Sequence, residues 1–326
     1  MSEKAVKTIG VLTSGGDAPG MNAAIRAVVR AGLSSGLKVK GIRRGYAGLL
    51  EEDIVDMDTM SVSDIVQKGG TILYTSRCPE MVTPEGQKKA ADICRKHGID
   101  GIVVIGGDGS FRGAQKLSAN GINTIGVPGT IDLDISCTEY TIGFDTACNT
   151  AVECIDKLRD TMQSHERCSV VEVMGRHAGY LALYVGVAVG ATAVLVPEHP
   201  YDFRSQVAEK IRHARLNGKT NFMIVVAEGA ASAVEVGRQI QEELALDPRV
   251  TILGHIQRGG SPTAKDRVTA TRMGYEAVQL LAEGKTNRIV CTNGDQITNV
   301  DIDEGLAMTK TLNPEEFEVM TVMTGR

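Results

Sequence analysis

At 326 residues the chain is long enough for about two domains, and its 40 acidic against 35 basic side chains give a formal charge of −5. Trp is absent, aromatics make up 4% and no Lys/Arg block stands out, which argues against nucleic acid and against an anionic membrane as partners. The seven cysteines are scattered without a Cys-x-x-Cys pair, which argues against a zinc site or a disulfide framework and predicts reduced thiols in a cytoplasmic protein.

Strand-like apolar runs alternate with helix-like segments, which implies parallel sheets covered by helices. The polar lead Met1 to Lys7 does not read as a signal peptide, and Gly or a charge interrupts each apolar run before it reaches membrane-spanning length. Thr8 to Leu12 predicts the first strand, ending in Thr13-Ser14-Gly15-Gly16-Asp17-Ala18-Pro19-Gly20. A helix follows with Ala23, Ala24, Ala27, Val28 and Ala31 on its packing side, while Arg26 and Arg30 share another face. Val39 to Ile42 predicts a second strand and Gly45-Tyr46 a loop after it. Pro84 to His97 reads as helical and leads to the strand Ile102 to Ile105, which runs into Gly106-Gly107-Asp108-Gly109-Ser110. Ile122 to Val127 runs into Pro128-Gly129-Thr130-Ile131-Asp132-Leu133-Asp134. Asp145 to Gln163 predicts a long helix, and the strands Ser169–Val173, Ala193–Val196, Asn221–Val226 and Val250–Leu253 follow with helices between them. A second lobe is expected to begin near Phe144.

Two of these loops place a carboxylate just past an apolar strand, where open α/β sheets hold their ligands. Glycines there let backbone N–H groups approach phosphate oxygens, and an Asp beside such a cradle can hold Mg²⁺ or accept a proton from an attacking hydroxyl. The pair points to phosphoryl transfer. Gly15-Gly16-Asp17 opens a helix and so favours an anion, although a tight strand-to-helix turn uses the same residues. Asp108 can hold a metal or cap the following helix. No Walker lysine motif and no Gly-x-Gly-x-x-Gly fingerprint occur, which weakens P-loop and ordinary dinucleotide-binding readings.

Thr13 to Asn22, Gly106 to Ser110, Pro128 to Asp134, Met174-Gly175-Arg176 and Leu253 to Pro262 stand in an order that resembles the bacterial ATP-dependent 6-phosphofructokinases over essentially the whole chain. The resemblance implies two similar α/β lobes with mainly parallel sheets flanked by helices and an active site between them. An ATP-binding lobe of residues 1–143 and 256–307 and a fructose 6-phosphate-binding lobe of residues 144–255 and 308–326 would follow. It also implies transfer of the γ-phosphoryl group of MgATP to the 1-hydroxyl of fructose 6-phosphate. Asp132 would be the general base, Asp108 the Mg²⁺ ligand and Arg176 the stabiliser of transition-state charge, while Asp134 would support the site. Gly16, Arg77 and Thr130 would contact the transferring phosphoryl. Tyr46, Cys78, Gly107, Gly109 and Ser110 would complete the nucleotide site. His255, Arg258, Arg167 and Arg249 would read the sugar phosphate, where a dianion favours arginine forks. Met174, Gly175 and Glu228 would line the sugar. Arg167 and Arg249 would come from a neighbouring subunit, implying a homotetramer with shared active sites.

Pyrophosphate-dependent relatives typically carry Asp where this chain has Gly109 and Lys where it has Gly129. Glycine at both positions predicts ATP as the donor, because a side chain would fill space meant for the nucleotide. The chain departs from the family's usual pattern at Leu133, which stands for Asn, and at Val82, which stands for a basic residue. Arg26, Arg30, Arg159 and Lys219 match an ADP or phosphoenolpyruvate effector site. Thr59, Thr192 and Asn217 replace its Arg, Glu and Lys, which predicts weakened allostery. A kinase of the NAD-kinase or lipid-kinase type shares Gly-Gly-Asp-Gly but leaves the other motifs without a role. A catalytically dead sugar-phosphate or nucleotide sensor is expected to have lost Asp132 or Asp108, and both are present.

Overall fold

The computed structural model describes residues 6–323. Most of the polar lead Met1 to Lys7, and the last three residues of the second expected lobe, lie outside that range. Two compact units emerge, one built from residues 6–130, 135–145 and 258–310 and the other from 131–134, 146–257 and 311–323.

The first unit is built on a seven-stranded sheet in the order β11-β10-β5-β4-β1-β2-β3. Its strands are β1 (Thr8–Thr13), β2 (Lys38–Ile42), β3 (Ile54–Met57), β4 (Gly101–Gly106), β5 (Asn123–Pro128), β10 (Arg288–Asn293) and β11 (Gln296–Asp301). The second unit carries β6 (Cys168–Val173), β7 (Ala193–Leu195), β8 (Phe222–Ala227) and β9 (Arg249–Ile252), all parallel, in the order β7-β8-β6-β9. In the large sheet β2, β1, β4, β5 and β10 run parallel, and the two edges β3 and β11 pair antiparallel. The central strands β1 and β4 are buried at every position, which is why they read as uninterrupted apolar runs.

Helices α1 (Met21–Ser34), α2 (Gly45–Leu50), α3 (Pro84–Lys96) and α4 (Asp108–Ala119) connect the first strands. After α5 (Phe144–Ser164), the second unit uses α6 (Tyr180–Ala188), α7 (Glu209–Leu216) and α8 (Ala233–Leu244). Then come α9 (Ala264–Ala282), α10 (Ile302–Ala307) and α11 (Pro314–Met323). The starts follow local chemistry. Thr83 accepts the Gly86 N–H ahead of Pro84 in α3, and Thr263 accepts the Asp266 N–H at the head of α9. α1 lies close on α9 because a Cβ on Gly274 would come within 2.8 Å of the Ala24 carbonyl.

The expected loop at Gly45-Tyr46 is instead the first turn of α2. Arg44 and Gly45 both take left-handed backbone and reverse the chain, and Tyr46, Leu49 and Leu50 then bury together at helical spacing. Each unit has its own core. Leu12, Val104, Phe111, Leu117 and Ile289 centre the first, and Val170, Phe222, Ile224, Val236 and Ile240 the second. Among the described residues no helix is long and apolar enough to cross a membrane.

Candidate active site

In the large sheet the chain builds outward from β1 through β2 to β3, then returns to lay β4 on the other side of β1. Strand order therefore reverses between β1 and β4, and ligands of open α/β sheets bind outside the carboxyl ends at such a point. The Thr13–Gly20 loop leaves β1 there, and Gly106–Ser110 leaves β4. The two are tied together: the Ser14 N–H donates to the Ile105 carbonyl (2.9 Å) and the Ser110 hydroxyl donates to the Ser14 carbonyl (3.0 Å). Gly106 makes this approach possible, since a Cβ on it would meet the Ser14 carbonyl and the Ser110 hydroxyl, each at 2.4 Å. Gly107 is half-buried, Asp108 and Gly109 are exposed, and nothing lies within 4 Å of a Cβ built on Gly109.

Asp108 opens α4; its residue is largely exposed, but partial desolvation of the carboxyl group raises it above the usual carboxylate range, against a smaller opposing effect of Arg112. A cation beside it would reverse that. Among the described residues no group of three or more His, Cys, Asp or Glu side chains gathers to hold a metal. A single carboxylate suits Mg²⁺, which keeps waters and takes most remaining ligands from substrate phosphates.

Gly16 faces Arg258, whose guanidinium donates to the Asp17 carbonyl (3.1 Å) and lies 2.6 Å from where a Gly16 Cβ would be. Thr75 donates to the Gly15 carbonyl (2.7 Å), which fixes the loop from the side on which exposed Arg77 and half-buried Cys78 follow. Tyr46 is buried. Its ring covers Gly113 of α4, its hydroxyl donates to the Ser110 carbonyl (2.7 Å), and burial drives its pKa well above the usual phenol value.

β5 ends at Pro128 and runs into Gly129-Thr130. The Gly129 N–H donates to the Gly106 carbonyl (3.0 Å), and Thr141 donates to the Thr130 carbonyl (2.7 Å). A Cβ on Gly129 would point at Met21 and Ile105, at 3.1 and 3.2 Å. The space excluded by a side chain there is therefore core, whereas at Gly109 it is open.

In the second unit Asp132 is wholly buried and its Oδ2 lies 3.2 Å from Nε of Arg176. Gly175 and Arg176 both have positive φ, 141° and 54°, which turns the chain sharply after β6. The Arg176 N–H donates to a Glu228 carboxylate oxygen (2.8 Å), so Glu228 holds the backbone of the residue that meets Asp132. Half-buried Asp134 sits with Glu198 and Glu316 near Tyr180, whose hydroxyl is pushed up to about 12, by burial first and then by these carboxylates.

Met174, Gly175, Arg176, Glu228 and His255 all follow the carboxyl ends of β6, β8 and β9. Arg167 and Arg249 do not join them. Arg249 opens β9, paired with Ser169 at the start of β6, and Arg167 immediately precedes β6. Both stand at the opposite end of the same sheet, with Arg249 in an exposed pair with Asp247 (2.9 Å). Of the residues matched to an effector site, Arg159 bonds the Val189 carbonyl and Lys219 donates to Thr192 (3.3 Å), so these two lie together in the second unit. Arg26 and Arg30 are on α1 of the first unit.

Two positioning elements have no sequence expectation behind them. Buried Gln257 accepts the Met174 N–H (3.4 Å) and donates to the Gly254 carbonyl (3.1 Å), tying the ends of β6 and β9 together. Buried Asp266 accepts the Tyr140 hydroxyl (2.6 Å) and the Gly143 N–H (2.7 Å), anchoring the segment that supports Thr130. Gln257 lies inside the Leu253 to Pro262 motif and was findable there. The pairing of Asp266 with Tyr140 spans 126 residues and leaves no local signal.

Glycine-lined loops at a switch point in one unit and, in the other, a buried carboxylate paired to an arginine that follows a parallel strand define an α/β enzyme that handles anionic substrates. The sequence profile of the family described as Phosphofructokinase matches residues 8–281. A protein of Thermoanaerobacter sp. (strain X514) named ATP-dependent 6-phosphofructokinase is 57% identical over 321 residues, 98% of this chain and all of that one. One of the same name from Clostridium botulinum (strain Loch Maree / Type A3) is 56% identical over 319 residues, again 98% of this chain and 100% of its own length. The structure of phosphofructokinase from Saccharomyces cerevisiae superposes with a TM-score of 0.87 at 35% identity, covering 98% of this chain, which spans 48% of that one. The chain belongs to the phosphofructokinase family.

Proposed function

We propose that the chain transfers the γ-phosphoryl group of MgATP to the 1-hydroxyl of fructose 6-phosphate. The observation that carries the reading is the buried Asp132 carboxylate held 3.2 Å from Arg176 at a strand end, in a chain 57% identical to an ATP-dependent 6-phosphofructokinase. Asp132 takes the proton of the attacking hydroxyl as the oxygen–phosphorus bond forms, and burial keeps water from competing for it. Arg176 faces the charge that develops on the transferred group, with Asp134 supporting the loop. In the first unit, Gly16, Thr130 and Arg77 contact the transferring phosphoryl. Gly107, Gly109, Ser110 and Cys78 border the nucleotide, and Tyr46 supports this wall from beneath through Ser110. Asp108 would hold Mg²⁺, which would supply positive charge against the phosphate oxygens of the nucleotide. The open space at Gly109 supports a nucleotide donor.

Met174, Gly175, Glu228, His255 and Arg258 take the sugar phosphate. Arg167 and Arg249, at the far end of β6 and β9, serve the site of a neighbouring subunit in a homotetramer, and the working location is the cytoplasm. The experiment is a coupled assay with fructose 6-phosphate and Mg²⁺, supplied with ATP or pyrophosphate in parallel. Turnover with ATP alone is expected. Turnover with pyrophosphate alone would overturn the donor, and silence with both would overturn the activity.

A further inference from the structure

Among the described residues outside those assigned above, two thiols lie in contact. All seven cysteines are free thiols, and the sulfurs of Cys137 and Cys291 lie 3.7 Å apart. Cys291 is buried in the middle of β10, while Cys137 is half-exposed on the segment beside it. Backbone pairing fixes the approach. The Thr292 N–H donates to the Thr138 hydroxyl (2.9 Å), the Glu139 N–H donates to the Thr292 carbonyl (3.2 Å), and the Gly294 N–H donates to the Glu139 carboxylate (2.6 Å). Lys310 donates to the Thr138 carbonyl (3.1 Å) from the other side. Gly305 leaves room for the sulfur, since a Cβ there would sit 3.3 Å from Cys137 Sγ.

We propose that Cys137 and Cys291 are an oxidisable dithiol, a modification site that a hydroperoxide closes to a disulfide. The half-exposed Cys137 sulfur attacks a peroxide oxygen and the O–O bond breaks, giving a sulfenic acid and releasing water or an alcohol. The buried Cys291 sulfur then displaces the sulfenic hydroxyl, forming the S–S bond and releasing one water. Two thiols are oxidised by two electrons and the peroxide is reduced by two. In a reducing cytoplasm such a bond is transient, as befits a sensor and not a staple.

Closure draws the sulfurs from 3.7 Å to about 2.05 Å. Cys137 moves toward β10 and carries Ile135, two residues back, whose side chain lies 3.9 Å from the Cβ position of Gly107. Gly107 is where β4 turns into α4, so the oxidised form distorts the nucleotide loop; this consequence, unlike the disulfide itself, rests on the functional reading above.

The test treats the purified chain with hydrogen peroxide, digests it without reductant and reads cross-linked peptides by mass spectrometry. Calorimetry with a non-hydrolysable MgATP analogue is run alongside. The expected result is a peptide joining Cys137 to Cys291, affinity weakened about threefold or more, and recovery with dithiothreitol. Cys291→Ala and the half-exposed Cys137→Ser should bind the analogue normally before and after peroxide. Oxidation of Cys137 to sulfinic acid without the cross-link, or cross-links through other cysteines instead, overturns the dithiol. Equal loss of affinity in wild type and both variants overturns the effect on the loop. A chain that fails to phosphorylate fructose 6-phosphate would count against the assigned activity, while the cross-linked peptide would still decide the disulfide.

Discussion

Asp132 and Arg176 stand 3.2 Å apart with opposite exposures, the carboxylate at 0% and the guanidinium side chain at 56%. The buried member is thereby fixed while the exposed member remains able to follow charge on a substrate. A carboxylate that takes a proton only during reaction should matter for turnover and little for binding. Asp132→Asn keeps the shape and removes the base, so kcat should fall by about 10²–10⁴-fold. The fructose 6-phosphate requirement should stay near that of the wild type. Steady-state kinetics on both substrates check this, and near-normal kcat would remove Asp132 from its role.

Leu133 sits between Asp132 and Asp134 at a φ of 56°. The left-handed region costs a side chain with a Cβ about 1–2 kcal/mol, and Asn tolerates it best after Gly. Leu133 is only half-buried, so little apolar burial is lost on replacement. Leu133→Asn should therefore raise stability by about 1 kcal/mol, read as a higher urea midpoint at unchanged slope. A lower midpoint would mean that Leu133 packing outweighs its backbone strain.

The two glycines flanking Gly107-Asp108 should respond in opposite ways. At Gly106 a Cβ meets backbone and side chain at 2.4 Å, so Gly106→Ala should destabilise by about 1–3 kcal/mol through overpacking. At Gly109 nothing lies within 4 Å, and an acid in the first turn of α4 suits the helix dipole. Gly109→Asp should keep its stability within about 0.5 kcal/mol while the ATP KM rises about tenfold or more. Thermal melts and ATP titrations separate the cases, and an unchanged ATP requirement in Gly109→Asp would move the nucleotide elsewhere.

The contrast among these loops also explains what the sequence made legible. β1, β4, β6 and β8 are buried on both faces, so their apolar runs announced them and the glycines after them. β3 and β11 are half-exposed edges with sequences Ile-Val-Asp-Met and Gln-Ile-Thr-Asn-Val-Asp, and no period marks them. β10 has an apolar centre but depends on pairing with β5 across more than a hundred residues. Within the site, the residue types at Gly106–Ser110 and Met174–Arg176 could be read locally. The hold of Arg258 on the Asp17 carbonyl could not, because 241 residues separate them.

Effector response is the next consequence. Lys219 donates to the buried Thr192 hydroxyl (3.3 Å), and burial, then Arg159, holds its ammonium below the usual lysine value. The cluster thus holds two cations and, at Thr192, no acid to meet a nucleotide-bound Mg²⁺. Low ADP at subsaturating fructose 6-phosphate should change the rate by less than the roughly fivefold at which ordinary allosteric couplings begin. Initial rates with and without ADP test this, and strong activation would show that the remaining cations suffice.

Arg249 opens β9, whereas Met174–Arg176 and Glu228 follow the carboxyl ends of its neighbours β6 and β8. Arg249 thus stands at the end of the sheet away from those residues, and the proposed reading assigns it to the site of a neighbouring subunit. Arg249→Ala should therefore raise the fructose 6-phosphate KM with kcat largely kept, because it removes a ground-state phosphate contact. The guanidinium is exposed and paired only with Asp247 among the described ion pairs, so stability should change by less than about 1 kcal/mol. The sharper check is complementation. Chains carrying Asp132→Ser and chains carrying Arg249→Ala, each impaired alone, are unfolded and refolded together. Some sites in the hybrids then combine an intact Asp132 from one chain with an intact Arg249 from the other. Low-substrate activity above the sum of the separate preparations is the expected outcome, and strict additivity would return Arg249 to the surface of its own subunit.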